Sequence, residues 1–332
     1  MRYHRLFWIV GWLSWWISLT AQSQPLNRYA YNRGLFGTHF GLILYAPNDS
    51  LATTAKNAVY ARMDSLNGVM SDYLDGSEIN RLSATAGTNQ WVPVSPSLFA
   101  VLQKAVSIAK ASDGLFDPTV GPLAQLWRRA VRRKVFPSKA DIRKAHRLVD
   151  YRLIELDSLK QAVKLKRAGM RLDVGGIGQG YAIDEGMAVL RTHGIRSALL
   201  DIGGDILVSD PPPGERGWRI QTGIGADTLK LYLKNIAITT SGADHRYLEH
   251  EGKRYSHLLD PRTGIGLRQH AWTTVIAPDG VRADALTKVF SVARIRKSKK
   301  LLKRFPGVSV WQVEQRKNKP TSWKSTGFDT YQ

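Results

Sequence analysis

A glycine-rich turn in the middle of the sequence could bind the phosphate groups of a ligand. It reads Gly-Gly-Ile-Gly-Gln-Gly over residues 175–180 and lies between a strand candidate and a helix candidate. Glycines let backbone N–H groups approach an anion, and a helix N-terminus adds partial positive charge. The spacing differs from the Gly-x-Gly-x-x-Gly dinucleotide fingerprint, so a tight turn without a ligand explains it equally well. Asp173 precedes the turn, where a buried carboxylate needs a partner and could instead cap the turn.

His257 and Asp284 are the side chains best suited to acid–base and metal chemistry. His257 lies among hydroxyl, carboxylate and arginine side chains in residues 255–264, which could orient a ring that titrates near neutral pH. A structural histidine is the simpler alternative. Asp284 begins the segment Asp-Ala-Leu-Thr-Lys, where it could complement a helix dipole or offer a hard oxygen to Mg²⁺. None of the eight histidines has a zinc-site spacing, which argues against zinc.

The elements that must position these residues predict a mixed fold. Apolar alternation predicts strands at residues 37–45, 171–174, 197–202 and 271–277. Helical spacing and caps predict helices at residues 50–64, from Ser95 and Pro96 onward, at 181–193 and from 284 to about 305. Strands and helices without strict alternation indicate an α+β or mixed α/β class.

The N-terminus and the composition indicate an exported protein. A basic start precedes an apolar run over residues 6–19, which is too short to span a bilayer comfortably, and small residues follow it. We predict a signal peptide at residues 1–23, with an uncleaved anchor as the alternative, and one large domain at 24–332. The absence of cysteine excludes disulfides and thiolate chemistry. The net charge of +21 comes without a nucleic-acid-binding motif, and we interpret the basic cluster at 128–134 as a solvated helix face.

Several blocks of the sequence occur in the order in which one enzyme family carries them. They are Phe36-Gly37-Thr38, Met70-Ser71-Asp72-Tyr73 with Ser77-Glu78-Ile79, residues 113–123 with Trp127, residues 173–184, Gly203-Gly204-Asp205, Thr240-Ser241-Gly242 and residues 256–264. Together they resemble the ApbE family of FAD:protein FMN transferases. The block Asp-Gly-Leu-Phe-Asp-Pro-Thr at 113–119 is the most specific of them.

The resemblance implies an ApbE-like (T-fold-related) single large domain with intimately packed sub-domains. It also implies cleavage of the FAD pyrophosphate, attachment of FMN through a phosphoester to Ser or Thr of an acceptor protein, and release of AMP. His257 would be the acid–base residue, and Mg²⁺ would be held by the Gly176 carbonyl and the Asp284 side chain. The residues expected to contact FAD are Phe36, Tyr73, Leu115, Phe116, Asp117, Asp173, Gln179 and Leu258.

Two positions depart from the family pattern. Gln179 stands where the family usually has Lys or Glu, and Lys288 stands where the family has a second metal-ligating hydroxyl. A charged ammonium cannot ligate Mg²⁺ and is repelled by it. Either Thr287 or water takes that place, or Lys288 contacts the pyrophosphate and lowers the need for metal, or the protein binds FAD with reduced catalysis.

The resemblance also implies a partner and a cellular location. We expect an acceptor flavoprotein of envelope electron transport with a Ser/Thr flavinylation motif, and no nucleic acid. The protein would be exported to the periplasm or the outer face of the inner membrane, close to the membrane but not spanning it after cleavage. The alternatives are an FAD pyrophosphatase that releases FMN and AMP, and a non-catalytic periplasmic FAD-binding protein.

Overall fold

The computed structural model describes residues 25–224, 227–242, 247–268, 271–316 and 319–332. Its strands are β1 (Asn27–Leu35), β2 (Thr38–Ala46), β3 (Val92–Pro93), β4 (Ile154–Asp157), β5 (Ala162–Leu165), β6 (Ala198–Ile202), β7 (Asp205–Val208), β8 (Trp218–Ile224), β9 (Asp227–Leu233), β10 (Ile236–Gly242), β11 (Tyr247–His250), β12 (Lys253–Ser256), β13 (Leu259–Asp260), β14 (Ile265–Gly266), β15 (Ala271–Ala277), β16 (Ser309–Arg316) and β17 (Lys319–Lys324). Its α-helices are α1 (Asp49–Met70), α2 (Glu78–Ala84), α3 (Pro96–Ala111), α4 (Gly121–Arg133), α5 (Lys139–His146), α6 (Gly178–Thr192), α7 (Gly280–Val292) and α8 (Ile295–Leu301). Short 3₁₀ turns lie at Tyr151–Leu153, Leu302–Arg304 and Phe328–Tyr331.

Eight strands form one antiparallel sheet in the order β1-β2-β6-β7-β10-β15-β16-β17. The register of β2 with β6 pairs Phe40 with Ile202, and that of β10 with β15 pairs Thr240 with Thr274. The strands β6 and β7 form a hairpin whose turn is Gly203-Gly204, so this turn comes to lie beside the β1–β2 turn at one end of the sheet. The sheet therefore joins segments that are far apart in the sequence.

The two faces of the sheet bury different cores. Phe40, Leu42 and Leu44 of β2 belong to the larger core, which also takes the apolar faces of α1, α3, α6 and α7. The intervening Ile43 and Tyr45 pack against the smaller core beneath the β8–β9 hairpin. This alternation is the consequence of successive side chains of a strand pointing to opposite faces. The fold is therefore a mixed α/β single domain, as predicted.

Most of the predicted elements are confirmed, but two are wrong. Residues 171–174 form only an isolated bridge, from Arg171 to Val120, because neighbouring backbone groups pair with loops: Asp173 N donates to Pro118 O at 2.8 Å. The helix predicted from Asp284 to about 305 is two helices, and Asp284 lies one turn inside α7, which Asp279 caps. The break follows Val292, where Ala293 is extended.

The predicted signal peptide at residues 1–23 lies outside the described residues and stays a prediction. Across the described ranges, none of the helices has the length and apolar character that crossing a bilayer requires.

Candidate functional site

The glycine-rich turn is positioned by a close approach of two helices. Gly180 of α6 faces Gly280 of α7, and a Cβ on Gly180 would clash with the Gly280 carbonyl and lie 2.7 Å from Cβ of Asp284. Only glycine therefore permits this approach. As a result, Gly180 N at the start of α6 donates to Asp284 Oδ2 at 3.0 Å. The contact joins the turn to a carboxylate 104 residues further along the chain.

Lys288 forms an ion pair with Asp284 one helical turn away. Lys288 Nζ donates to Asp284 Oδ1 at 2.6 Å, and the Asp284 side chain is 0% exposed. Burial alone would lower the pKa of Lys288, but the carboxylates of Asp284 and Asp205 outweigh it and leave the pKa raised. Lys288 is therefore an ammonium ion at neutral pH.

Asp205 adds a second buried carboxylate beside this pair. It begins β7, directly after the Gly203-Gly204 turn. Burial and the repulsion of Asp284 raise the pKa of Asp205 to about 7, against the opposing attraction of Lys288. Asp205 is therefore the group of this cluster that can exchange a proton near neutral pH.

The stem of Lys288 crosses the glycine-rich turn. A Cβ on Gly176 would lie 3.3 Å from Lys288 Cγ and 3.4 Å from Phe116 Cε2. Three residues that the sequence assigns to ligand or metal binding, Gly176, Phe116 and Asp284, are thus brought together around Lys288. They come from three different segments of the chain.

Asp173 is held between the turn and the helix α4. Its Oδ1 accepts from Gly175 N at 2.8 Å, which is the capping role, and its Oδ2 accepts from Arg128 Nη2 at 2.8 Å. Arg128 also pairs with Asp72, and its guanidinium lies 4.4 Å from the ring centroid of Tyr73. Burial and Asp72 raise the pKa of Asp173, whereas Arg128 lowers it. The Tyr73 ring is 70% exposed and could accept a planar group.

The side chains of Asp117 and Leu115 are buried and contact other parts of the protein. Asp117 accepts hydrogen bonds from Thr119 N, Thr119 Oγ1 and Tyr151 N at 2.8, 2.6 and 3.0 Å. Burial raises the pKa of Asp117 in spite of these bonds. Leu115 is 1% exposed in the larger core. These two side chains shape the loop that presents Phe116 to Gly176.

The remaining predicted ligand contacts lie at the edges of this region. Phe36 stands at the β1–β2 turn with φ of 49°, half-buried against the larger core. Gln179 is half-buried in the first turn of α6, and Leu258 is half-buried next to the exposed His257.

The loop that carries His257 is tied to α4. Trp127 Nε1 donates to the carbonyl of Gly264 at 2.9 Å, and Leu258 N donates to Ser256 Oγ at 3.1 Å. Trp127 directly precedes Arg128, which binds Asp173. A continuous series of contacts therefore leads from the His257 loop through α4 to the glycine-rich turn.

Comparison with known proteins places this arrangement in a family. The sequence model of the ApbE family matches residues 36–311 of this chain. The chain belongs to the ApbE family. A relative from Treponema pallidum named FAD:protein FMN transferase is 31% identical over 273 residues, which cover 76% of this chain and 75% of the relative. The ApbE protein of Thermotoga maritima superposes with a TM-score of 0.82 at 27% identity, covering 92% of this chain and 99% of that one. The apo form of the flavinyl transferase ApbE of Pseudomonas stutzeri gives 0.83 at 25% identity, covering 92% and 97%.

The metal ligands that the ApbE resemblance implies are not arranged for Mg²⁺ in this member. Both carboxylate oxygens of Asp284 are engaged, by Lys288 and by Gly180. The Thr287 hydroxyl donates to the backbone carbonyl of Asp284 at 2.7 Å and accepts from Ser241 at 2.9 Å. Within the described ranges, no group of three or more His, Cys, Asp or Glu side chains could hold a metal ion. Since Mg²⁺ requires near-octahedral oxygen ligands, these residues do not fit it as they stand.

Sequence reasoning missed Arg128 as a site residue. We interpreted the cluster at 128–134 as a solvated helix face, whereas Arg128 binds two carboxylates and stacks on Tyr73. Its position beside Trp127, within an ApbE block, was the available signal.

Proposed function

We propose that this protein is an FAD:protein FMN transferase. Membership of the ApbE family carries the proposal, and the assembly of Gly176, Phe116 and Asp284 around one ammonium ion supports it. The relatives named for this activity favour transfer over the hydrolase and carrier alternatives. FAD is the substrate, and a protein hydroxyl is the acceptor.

The chemistry requires an in-line attack on the FMN phosphorus of FAD. The acceptor hydroxyl oxygen forms a bond to that phosphorus, and the bond from phosphorus to the bridging oxygen breaks. AMP leaves with the bridging oxygen, and the hydroxyl proton passes to a base. We assign the base to His257, whose exposed position lets it meet a hydroxyl carried by another protein.

The remaining residues bind and position the substrate. Backbone N–H groups of the turn at 175–180 and the N-terminus of α6 would receive phosphate oxygens. The exposed ring of Tyr73, backed by Arg128, would take a planar ring of the dinucleotide. Phosphoryl transfer depends chiefly on such positioning and electrostatics.

The partner and the location are part of the proposal. The basic, apolar start of the sequence supports export to the periplasm or the outer face of the inner membrane. An envelope electron-transport flavoprotein with a Ser/Thr flavinylation motif would then be the acceptor. Magnesium dependence stays a prediction of the resemblance, and the engaged oxygens of Asp284 argue against it.

One assay tests the activity. The purified protein is incubated with FAD and a candidate acceptor, and AMP release is measured together with in-gel flavin fluorescence of the acceptor. We expect both products, and we expect His257→Ala to lose about 10²-fold or more in rate, the usual contribution of a general base. His193→Ala, at the C-cap of α6, is the matched control. Free FMN with AMP would instead indicate hydrolysis, and bound FAD without products would indicate a carrier.

A further inference from the structure

We propose that the ammonium group of Lys288 binds the diphosphate of FAD in the place of a divalent cation. The inference rests on the proposed function, since it takes FAD as the ligand of the glycine-rich turn. It follows from one disagreement: the resemblance implies that Asp284 binds Mg²⁺, whereas in the structure Asp284 is paired with Lys288.

The ammonium group is held firmly at the start of α6. Asp284 is fully buried, receives Gly180 N on one oxygen and receives Lys288 Nζ on the other at 2.6 Å. The methylene stem of Lys288 lies over Gly176, close to Phe116. The cation is therefore fixed beside the backbone groups that would receive phosphate oxygens.

Lys288 retains the donors that such a contact needs. An ammonium group has three N–H donors, and within the described ranges the one hydrogen bond assigned to it goes to Asp284. The side chain is 23% exposed, so part of it is open to solvent. Lysine is an established phosphate-binding side chain that acts as a point charge.

The same geometry disfavours a metal ion at Asp284. Mg²⁺ would have to share the Asp284 carboxylate with Lys288, either on Oδ1, which accepts from Lys288 Nζ, or on Oδ2, which accepts from Gly180 N. Two cations on one carboxylate repel each other. Lys288 with Asp284 has no net charge, whereas Mg²⁺ with Asp284 would carry one positive charge. Because the pair is neutral, Lys288 contributes directed N–H donors to the phosphate oxygens rather than net charge.

The first experiment needs no variant. Binding of FAD and of riboflavin to the full chain is followed by flavin fluorescence, in excess EDTA and in excess Mg²⁺. We expect the FAD affinity to be the same in both within about twofold, because the charge-assisted contact comes from the protein. A loss of FAD affinity in EDTA of about tenfold or more, with riboflavin unaffected, would overturn the proposal.

The second experiment exchanges the side chain. Lys288→Thr should weaken FAD binding in EDTA by about tenfold or more, the effect of one charge-assisted hydrogen bond, and leave riboflavin binding unchanged. Calorimetric titration with Mg²⁺ should show binding to Lys288→Thr but not to the parent protein. Lys300→Thr, an exposed position of α8 with the same charge change, is the control and should behave as the parent.

The outcomes separate this inference from the proposed function. If the protein releases AMP and labels the acceptor, but Lys288→Thr leaves the FAD affinity unchanged, the role of Lys288 is refuted and the transferase proposal stands. Conversely, FAD affinity that depends on Lys288 without AMP release would refute the transferase and support the diphosphate contact. Mg²⁺ binding to the parent protein would show that the ion displaces Lys288, which refutes the replacement.

Discussion

Arg128 should be a major source of stability at the candidate site. Its guanidinium, 36% exposed, joins the carboxylates of Asp72 and Asp173, which are 9% and 7% exposed. Replacing it by glutamine leaves two neighbouring carboxylates without their cation. Removing one partner of a buried ion pair costs about 3–5 kcal/mol. Because water already reaches the guanidinium and can replace part of the interaction, we expect Arg128→Gln to cost about 2–3 kcal/mol.

Urea denaturation measures this cost. The midpoint should fall at an unchanged m-value, since the surface exposed on unfolding stays the same. Arg129→Gln is the matched control, because Arg129 is exposed on the same helix and carries the same charge. It should change the free energy of unfolding by less than about 0.5 kcal/mol.

A double variant tests the cause of the loss. Adding Asp72→Asn to Arg128→Gln removes the repulsion between the two carboxylates, and it should recover about 1 kcal/mol. The reasoning is refuted if Arg128→Gln costs no more than Arg129→Gln. It is also refuted if the second substitution adds a further loss, because repulsion would then not be the cause.

Two other predictions concern the α6–α7 contact. Burial raises the pKa of Asp184 to about 6 from 3.8. Its stabilising effect is therefore complete below about pH 4 and lost as the pH rises through about 6, at most about 3 kcal/mol. Asp184→Asn should flatten that part of a profile of unfolding free energy against pH, and an unchanged profile would contradict this. Gly180→Ala should lower the thermal midpoint by the equivalent of about 3 kcal/mol or more, because its Cβ has no space beside Gly280. Gly68→Ala, in α1 with open space, should be neutral or stabilising by up to about 1 kcal/mol, and equal effects would contradict the packing argument.

Local patterns were sufficient for most of the elements that were predicted from the sequence. Ser95 before Pro96 predicts the start of a helix, and its side chain accepts from Leu98 N in the first turn of α3. The alternation of β2 was recognised because it reports which face of a strand is buried. By contrast, residues 171–174 look like a strand but pair with loops, since partner choice depends on what lies nearby in three dimensions.

The sequence by itself determined the family, the glycine-rich turn and the identity of the polar residues, because each of these is carried by residue type and short spacing. Only the tertiary structure decided how they are used. Asp284 reaches Gly180 because α6 and α7 touch through glycines, and Arg128 finds carboxylates 56 and 45 residues away. Such contacts have no local signal, since they arise from the packing of elements that are distant in the chain.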